Sequence, residues 1–444
     1  MRVSTGMIFD ANVATINRQT ATLLHLQQQV STGRRILTPA DDPVGAARAL
    51  EVSQSRSVLA QFAVNHDNAQ SALGLAEAQL AGVNEIFARI KELTVQAGNA
   101  TLSSGDRRSL AFELRARYDE LLGIANSADG QGLYLFSGYM GTTKPFGGTV
   151  DFLNAGNEII YDGDDGQRRL QVSATRFLEV SDSGNDVFRR IRNGNGHFVT
   201  HYGNNILTLS PNLGTGVIDA GSVTDPAAWN ALTNQNFEIR FYIDTATLPP
   251  TTYYEIVDTI DNVSMTTGGP PATAPIPFPA GLQVYEEGQP IPLPTTPGGA
   301  ASFGSVTITG EPADGDTFSI APSTAQSIFK TLANLIAALE SANTGLAADD
   351  ARYVNRIGFA LRDFDQANDN ILRVRAAIGS RMSELASLRN VNADLDLQYQ
   401  QALSTLQDLD YAKAISDLTR KQVDLQAAQQ SFVQISRLSI FNYL

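Results

Sequence analysis

Ser71-Ala-Leu73-Gly-Leu-Ala76-Glu-Ala-Gln-Leu80-Ala-Gly-Val83-Asn-Glu-Ile-Phe87-Ala-Arg-Ile90 carries the reading of the fold. Leu73, Leu80 and Phe87 stand seven apart, and Ala76, Val83 and Ile90 repeat the same step three residues on. Both seam positions of a heptad are therefore apolar over several turns, the pattern of a long helix packed in a coiled coil or slender bundle. Upstream, Asp42-Pro43 reads as an N-cap followed by proline at the first helical position, and the next proline is Pro145. One helix from about 43 to 97 is expected, on the order of 80 Å long at 1.5 Å per residue. Ser103-Ser104-Gly105-Asp106 can cap the helix that follows. A second arm has Phe364, Ile371, Ile378 and Leu385 by sevens, beside Ala367, Val374 and Leu388. Ser323 with Gln326 reads as the capping box that opens it. The two seams are expected to pack on one another as intramolecular core.

The ends of the chain repeat the pattern more thinly. Phe9, Ile16, Leu23 and Val30 are seven apart, as are Tyr411, Leu418, Leu425 and Phe432, with Ile415 and Ile435 alongside. Their companion positions are often polar, as at Thr20, Gln27, Gln422 and Gln429. Ordering backbone costs about 1–2 kcal/mol per residue, and an isolated pair of such narrow-striped helices leaves much of its stripe in water. The two stripes are accordingly expected to be an oligomerisation interface, largely unfolded in a single molecule and completed by other subunits.

Proline and charge mark off the middle. Of 18 prolines, only Pro39, Pro43 and Pro145 fall outside 211–322. Between Asn193 and Phe329 there is one cation, Arg240, against twelve carboxylates. Short apolar runs bounded by Gly, Pro or Asp read as strands there: Phe237–Ile243, Tyr253–Val257, Ser305–Ile308 and Thr317–Ile320. Ahead of them, Gly132-Leu-Tyr-Leu-Phe-Ser-Gly138 reads as a short buried strand. Ile159–Tyr161 and Arg168–Val172 flank a turn at Asp162–Gln167, and the Pro/Gly/Thr-rich stretch 262–300 reads as loop. The expected fold is α+β: a long-helix coiled-coil bundle formed by the N- and C-terminal arms, with a β-rich domain inserted in the middle. The partition is 1–40 with 400–444 as an inner terminal coiled coil, 41–175 with 323–399 as a helical bundle carrying a β-hairpin, and 176–322 as an acidic outer domain.

The chain of 444 residues carries a net charge of -14, which argues against nucleic acid or an anionic membrane as partner. It has no cysteine, so thiol catalysis and thiolate metal sites are excluded. No apolar run is long enough to cross a bilayer. Met1-Arg2-Val3-Ser4-Thr5 lacks the apolar core of a signal peptide, and any exit from the cell is expected by a route that needs none. His197 and His201 are four apart, yet lie in a Gly/Asn-rich stretch without a third ligand. His25 and His66 are expected at the surface. Asp162, Asp164 and Asp165 depart from calcium-loop spacing and fit a polar turn better. No P-loop, dinucleotide-binding glycine fingerprint or nucleophile elbow is present, so no catalytic residue, metal or cofactor is expected.

Several motifs, in order, resemble the flagellin superfamily of bacterial flagellar axial proteins, and within it the proteins of the hook–filament junction. They are the opening Met1–Ile8; Ser31-Thr-Gly-Arg-Arg-Ile36 followed by Pro39-Ala-Asp-Asp-Pro43; Gly132–Gly138 ahead of Pro145-Phe146; Tyr161-Asp-Gly-Asp164; and Asp410-Tyr-Ala412, Leu425–Gln430 and Leu438–Leu444 at the far end. The likeness spans about 1–175 and 323–444. It implies terminal helices paired in an inner tube, a bundle outside it and an exposed β-rich domain. It implies a non-enzymatic, extracellular flagellar subunit, exported unfolded without a cleaved signal. Its implied partners are copies of itself in a ring, the first hook-associated protein on the hook side, flagellin on the filament side and an export chaperone. Leu418, Leu425 and Phe432 would serve the chaperone first. Thr38, Pro39, Asp41, Asp42 and Pro43 would form the elbow between inner helix and bundle. Two rival readings are flagellin itself, which the proline-bracketed acids and the Phe-Asn-Tyr-Leu ending disfavour, and a stalk-borne hydrolase with 146–322 catalytic.

Overall fold

A computed structural model describes residues 5–99, 102–148, 150, 152, 159–272, 281–341 and 346–437. Its helices are α1 (Thr5–Thr32), α2 (Pro43–Ala97), α3 (Ser104–Ala125), α4 (Pro226–Ala231), α5 (Ile328–Ser341), α6 (Ala347–Gln407) and α7 (Tyr411–Arg437). The helical arms at both ends and the β-rich middle have the expected α+β order. The chain divides into two compact units: Met1–Asp67, Gln171–Arg176 and Glu384–Leu444 form one, Asn68–Leu170 and Phe177–Ser383 the other. Helices α2 and α6 contribute to both.

In the second unit the heptads form the core. Leu73, Leu80, Val83 and Ile90 of α2 are fully buried, as are Ile371 and Ile378 of α6. Phe87 and Phe364 meet at 6.4 Å between ring centroids, and Arg375 bridges to Glu77 at 2.6 Å across the same pair. Helix α3 starts as its residues require. Ser103 accepts from the Asp106 amide, and the Asp106 carboxylate accepts from the Ser103 amide, a reciprocal cap. Tyr118 of α3 lies edge-on to Phe329 of α5, 5.7 Å away. Phe146 and Phe188 continue this ring cluster onto the turns that follow α3.

The β-rich part holds two larger sheets. One runs in the order Val263–Ser264, Thr251–Asp258, Phe237–Asp244, Thr317–Pro322, Phe198–Tyr202, with Gln283–Val284 also paired to Thr251–Asp258. The other runs Pro290–Pro294, Ser302–Thr309, Val217–Ile218, with Ser222–Val223 on the central strand. All pairings are antiparallel. Between them lies an aromatic core in which Trp229 touches Phe198 and Phe303 at 5.6 and 5.1 Å.

The structure corrects five expectations. Gly132–Gly138 is a series of turns, not a strand: Gly132 and Gly138 take left-handed φ of 81° and 73°, which breaks extended backbone, while Leu135 and Phe136 still go to the core. Ile160–Tyr161 does pair, but with Phe146–Gly147. Ser323 and Gln326 do not cap α5. The Ser323 hydroxyl donates to the Asn193 carbonyl, Gln326 sits in a two-residue strand beside Ile191, and Ser327 accepts from the Phe329 amide at the true helix start. Within 262–300, Pro290–Pro294 is a strand with Ile291 and Leu293 inward; among the described residues it pairs on one side only, and on the open side a missing N–H costs nothing. Part of that stretch, 273–280, lies outside the described residues. Finally, His66 is buried, with 1% exposed, and its Nε2 lies 2.7 Å from the Val172 carbonyl. It occupies the seam that continues as Leu73, Leu80 and Phe87, so its spacing already marked it as inward.

Candidate functional site: the terminal helix pair and the elbow

The first unit contains both terminal stripes. Phe9 packs on Phe432 at 5.1 Å between centroids, and Gly33, just past α1, meets Tyr411 at the start of α7, so the two helices run antiparallel. Ile16, Leu23, Val30, Leu418, Leu425 and Phe432 are only half-buried, while Phe9 and Tyr411 are 53% and 50% exposed. Ile435 lies in α7 with its side chain outside the described residues. Among the described side chains of α1 and α7, Ala414 alone is buried. Heptad counting missed Leu24 and Val423, which are exposed at 54% and 58%. They extend the uncovered apolar surface beyond the stripe.

The elbow is built from backbone as much as from side chains. α1 ends at Gly33, whose φ of 70° is the left-handed conformation that terminates helices without strain only for glycine. The chain on the other side breaks at the same level, between α6 and α7. Two reciprocal hydrogen bonds join the breaks: the Arg35 amide donates to the Gln407 carbonyl at 2.7 Å, and the Leu409 amide to the Gly33 carbonyl at 2.9 Å. The Arg35 guanidinium adds a bond to the Leu406 carbonyl at 2.8 Å and reaches Asp42 at 3.4 Å. Asp410 caps α7 by accepting from the Lys413 amide.

Each predicted elbow residue has a distinct task. Asp41 accepts from the amides of Leu37 and Thr38 at 2.9 and 2.8 Å with one oxygen, and its other oxygen is 3.0 Å from His25 Nε2. The Thr38 amide, helped by Leu37 and His25, holds the Asp41 carboxyl below its ordinary range. Thr38 also accepts from the Asp41 amide, closing a turn around Pro39. Asp42 is the N-cap of α2, accepting from the Gly45 amide at 2.8 Å, and Pro43 is the first helical residue. Gly33, Arg35 and the segment 406–409 were not assigned a role from sequence, because backbone pairing between positions so far apart leaves no periodic trace.

The other candidates sort themselves by their surroundings. His201 lies on the strand Phe198–Tyr202, 6.2 Å from the Phe359 ring, and burial pushes its imidazole down. Asp164 accepts from the Gly166 amide within its own turn and from the Tyr139 amide, while Asp165 ties that turn to Asn185 and Arg190: these are structural bonds. Among the described residues no group of three or more potential metal ligands stands together, and no helix is long and apolar enough to cross a membrane.

The N-terminal helical region of bacterial flagellin matches residues 3–141, and its C-terminal helical region matches residues 361–444. A crystal structure of flagellar hook-associated protein 3 from Legionella pneumophila superposes with a TM-score of 0.68 at 30% identity, over 80% of this chain and 98% of that one. The chain belongs to the flagellar hook-associated protein 3 family. The Salmonella typhimurium hook-associated protein 3 is 34% identical over 191 residues, 43% of this chain and 58% of that relative. The Escherichia coli K12 hook-associated protein 3 aligns over 99% of both chains at 24% identity. Flagellins match less of the chain, 24% of it in the Escherichia coli K12 case, so the hook-associated family and not the filament subunit is the right placement. Membership makes this a structural component of the bacterial flagellum, one that associates with other flagellar parts.

Proposed function

We propose that this chain is the junction subunit that joins the first hook-associated protein on the hook side to flagellin on the filament side, as a ring of copies and without catalysis. The observation that supports it best is the α1–α7 pair. Its apolar stripes are only partly covered, on an arm that ends at a firmly bonded elbow. Phe9, Ile16, Leu23, Val30, Tyr411, Leu418, Leu425, Phe432 and Ile435 are the residues we assign to contacts between copies. Leu418, Leu425 and Phe432 serve an export chaperone before assembly, and the protein leaves the cell without a cleaved signal. We assign 1–40 with 400–444 to the inner coil, 41–175 with 323–399 to the bundle and 176–322 to the outer domain, with Thr38–Pro43 as the joint.

Leu425→Asp tests this reading. A carboxylate placed on a stripe that must be dehydrated on assembly costs far more than the same change on a wet helix. The variant is expected to be made and to keep the β-rich part intact by limited proteolysis, yet to fail to attach filaments. Normal filament attachment would overturn the assignment. Cells lacking the gene should keep their hooks and shed filaments into the medium.

A further inference from the structure

In the β-rich part, the loop after strand Phe198–Tyr202 displays three leucines to solvent. Leu207, Leu209 and Leu213 are 51%, 86% and 53% exposed. Leu209 also has a φ of 54°, a left-handed conformation that is strained for any residue with a bulky side chain.

This loop is held in place by buried polar groups. Asn205, with no exposed surface, accepts from the amides of Leu207 and Thr208 and donates to Asp316 and to the Asp314 carbonyl. Asp316, also fully buried, accepts from the amides of Leu213, Gly214 and Ala313. Asn212 exchanges two hydrogen bonds with the Thr317 backbone. Leu207 rests against Gly315, where an added Cβ would come within 2.7 Å of it. A surface apolar group on a pre-organised loop loses little conformational freedom when it binds, and three exposed leucines within seven residues of one loop offer apolar surface to a partner.

The charge around the loop selects the partner. Glu311 and Asp314, both exposed, stand on the turn that backs it. Close by, burial and the charges of Glu287 and Glu311 push the Tyr285 hydroxyl up to about 12. Of the cations near it, Arg240, the one cation between 193 and 329, is paired with Glu238 at 2.7 Å, and Arg352, 5.7 Å from the Tyr202 ring at the start of the loop, is paired with Asp349 at 3.2 Å. We infer that the Leu207–Leu209–Leu213 loop is a docking site for a protein segment that is both apolar and basic. Like charge disfavours a second copy of the same face, and it disfavours anionic lipid and nucleic acid. The inference uses the β-rich part alone and does not depend on the junction role.

The test is fluorescence anisotropy of a labelled amphipathic helical peptide of leucine and lysine, titrated with the full chain. Binding is expected to weaken roughly tenfold in L207S/L209N/L213S, the scale of a lost hot spot, and to weaken with salt as exposed charge pairs are screened. E311Q/D314N should weaken binding and flatten that salt dependence. Leu248→Ser, at a residue 96% exposed elsewhere, should change nothing. Leu209→Asn alone should lower affinity severalfold while raising the melting temperature, because asparagine tolerates the left-handed backbone; this keeps the test decisive if the triple variant does not fold. The proposal fails if the leucine variants bind as the native chain does, if L248S weakens binding equally, or if binding ignores salt. Concentration-dependent dimerisation that the triple variant abolishes would also overturn it, by assigning the loop to a second copy.

Discussion

Gly33 shows how much one position settles. Its φ of 70° excludes an unstrained side chain, and a Cβ there would sit 2.7 Å from the Tyr411 hydroxyl. Gly33→Ala is expected to destabilise the elbow by about 1–2 kcal/mol from backbone strain alone, read as earlier melting of the terminal helices by circular dichroism. Removing the hydroxyl in Tyr411→Phe should relieve the clash but not the strain, leaving a partial loss. Asp41 gives a signed pH effect. Its folded carboxyl titrates lower than an unfolded one near 3.9, so its contribution is fully present above that value and disappears as pH falls through the lower folded value. Asp41→Asn should flatten the acid limb of a melting-temperature profile; an unchanged limb would remove Asp41 from the elbow's stability. Asp42 and Pro43 were legible as a helix start because capping is local chemistry. His66 was misplaced because residue type was weighed above spacing. It is a polar residue at a seam position whose Nε2 is met by one carbonyl, while its buried Nδ1 has no hydrogen-bond partner among the described residues.

Helices α2 and α6 are the elements most fully written in the chain. A seven-residue repeat needs no tertiary knowledge to be recognised, and the expected span 43–97 coincides with α2. Leu80→Ala, in a seam that has no exposed surface at that residue, should cost about 2–5 kcal/mol, seen as a lower denaturant midpoint at unchanged slope. The middle was harder to read for a physical reason. Short strands depend on which neighbour supplies the ladder, and Pro290–Pro294 qualifies only because one of its edges is unpaired among the described residues. The start of α5 was missed by a few residues, since several serines there could each serve as a cap and only the pairing of Ala325–Gln326 with Ile191–Arg192 decides among them.

Across the molecule, buried apolar residues are unevenly shared. The β-rich part and the bundle hold nearly all the fully buried large side chains, whereas α1 and α7 hold almost none. Stability is therefore expected to be graded along the chain. Amide hydrogen exchange on dilute monomer should show slow exchange at 73–90 and 364–378, and fast exchange over 5–32 and 411–437. Assembled material should protect the latter. Strong protection of both ends in the monomer would remove the case that neighbouring copies complete them. The terminal stripes, like the elbow's acids, could be picked out from sequence; what they touch in an assembly could not, because a partner leaves no periodicity of its own.

The paired backbone bonds of Gly33 and Arg35 with Leu409 and Gln407 have a mechanical corollary. A pull or twist delivered to either extremity reaches the rest of the subunit through two polypeptide strands loaded side by side. Neither bend is left to yield alone.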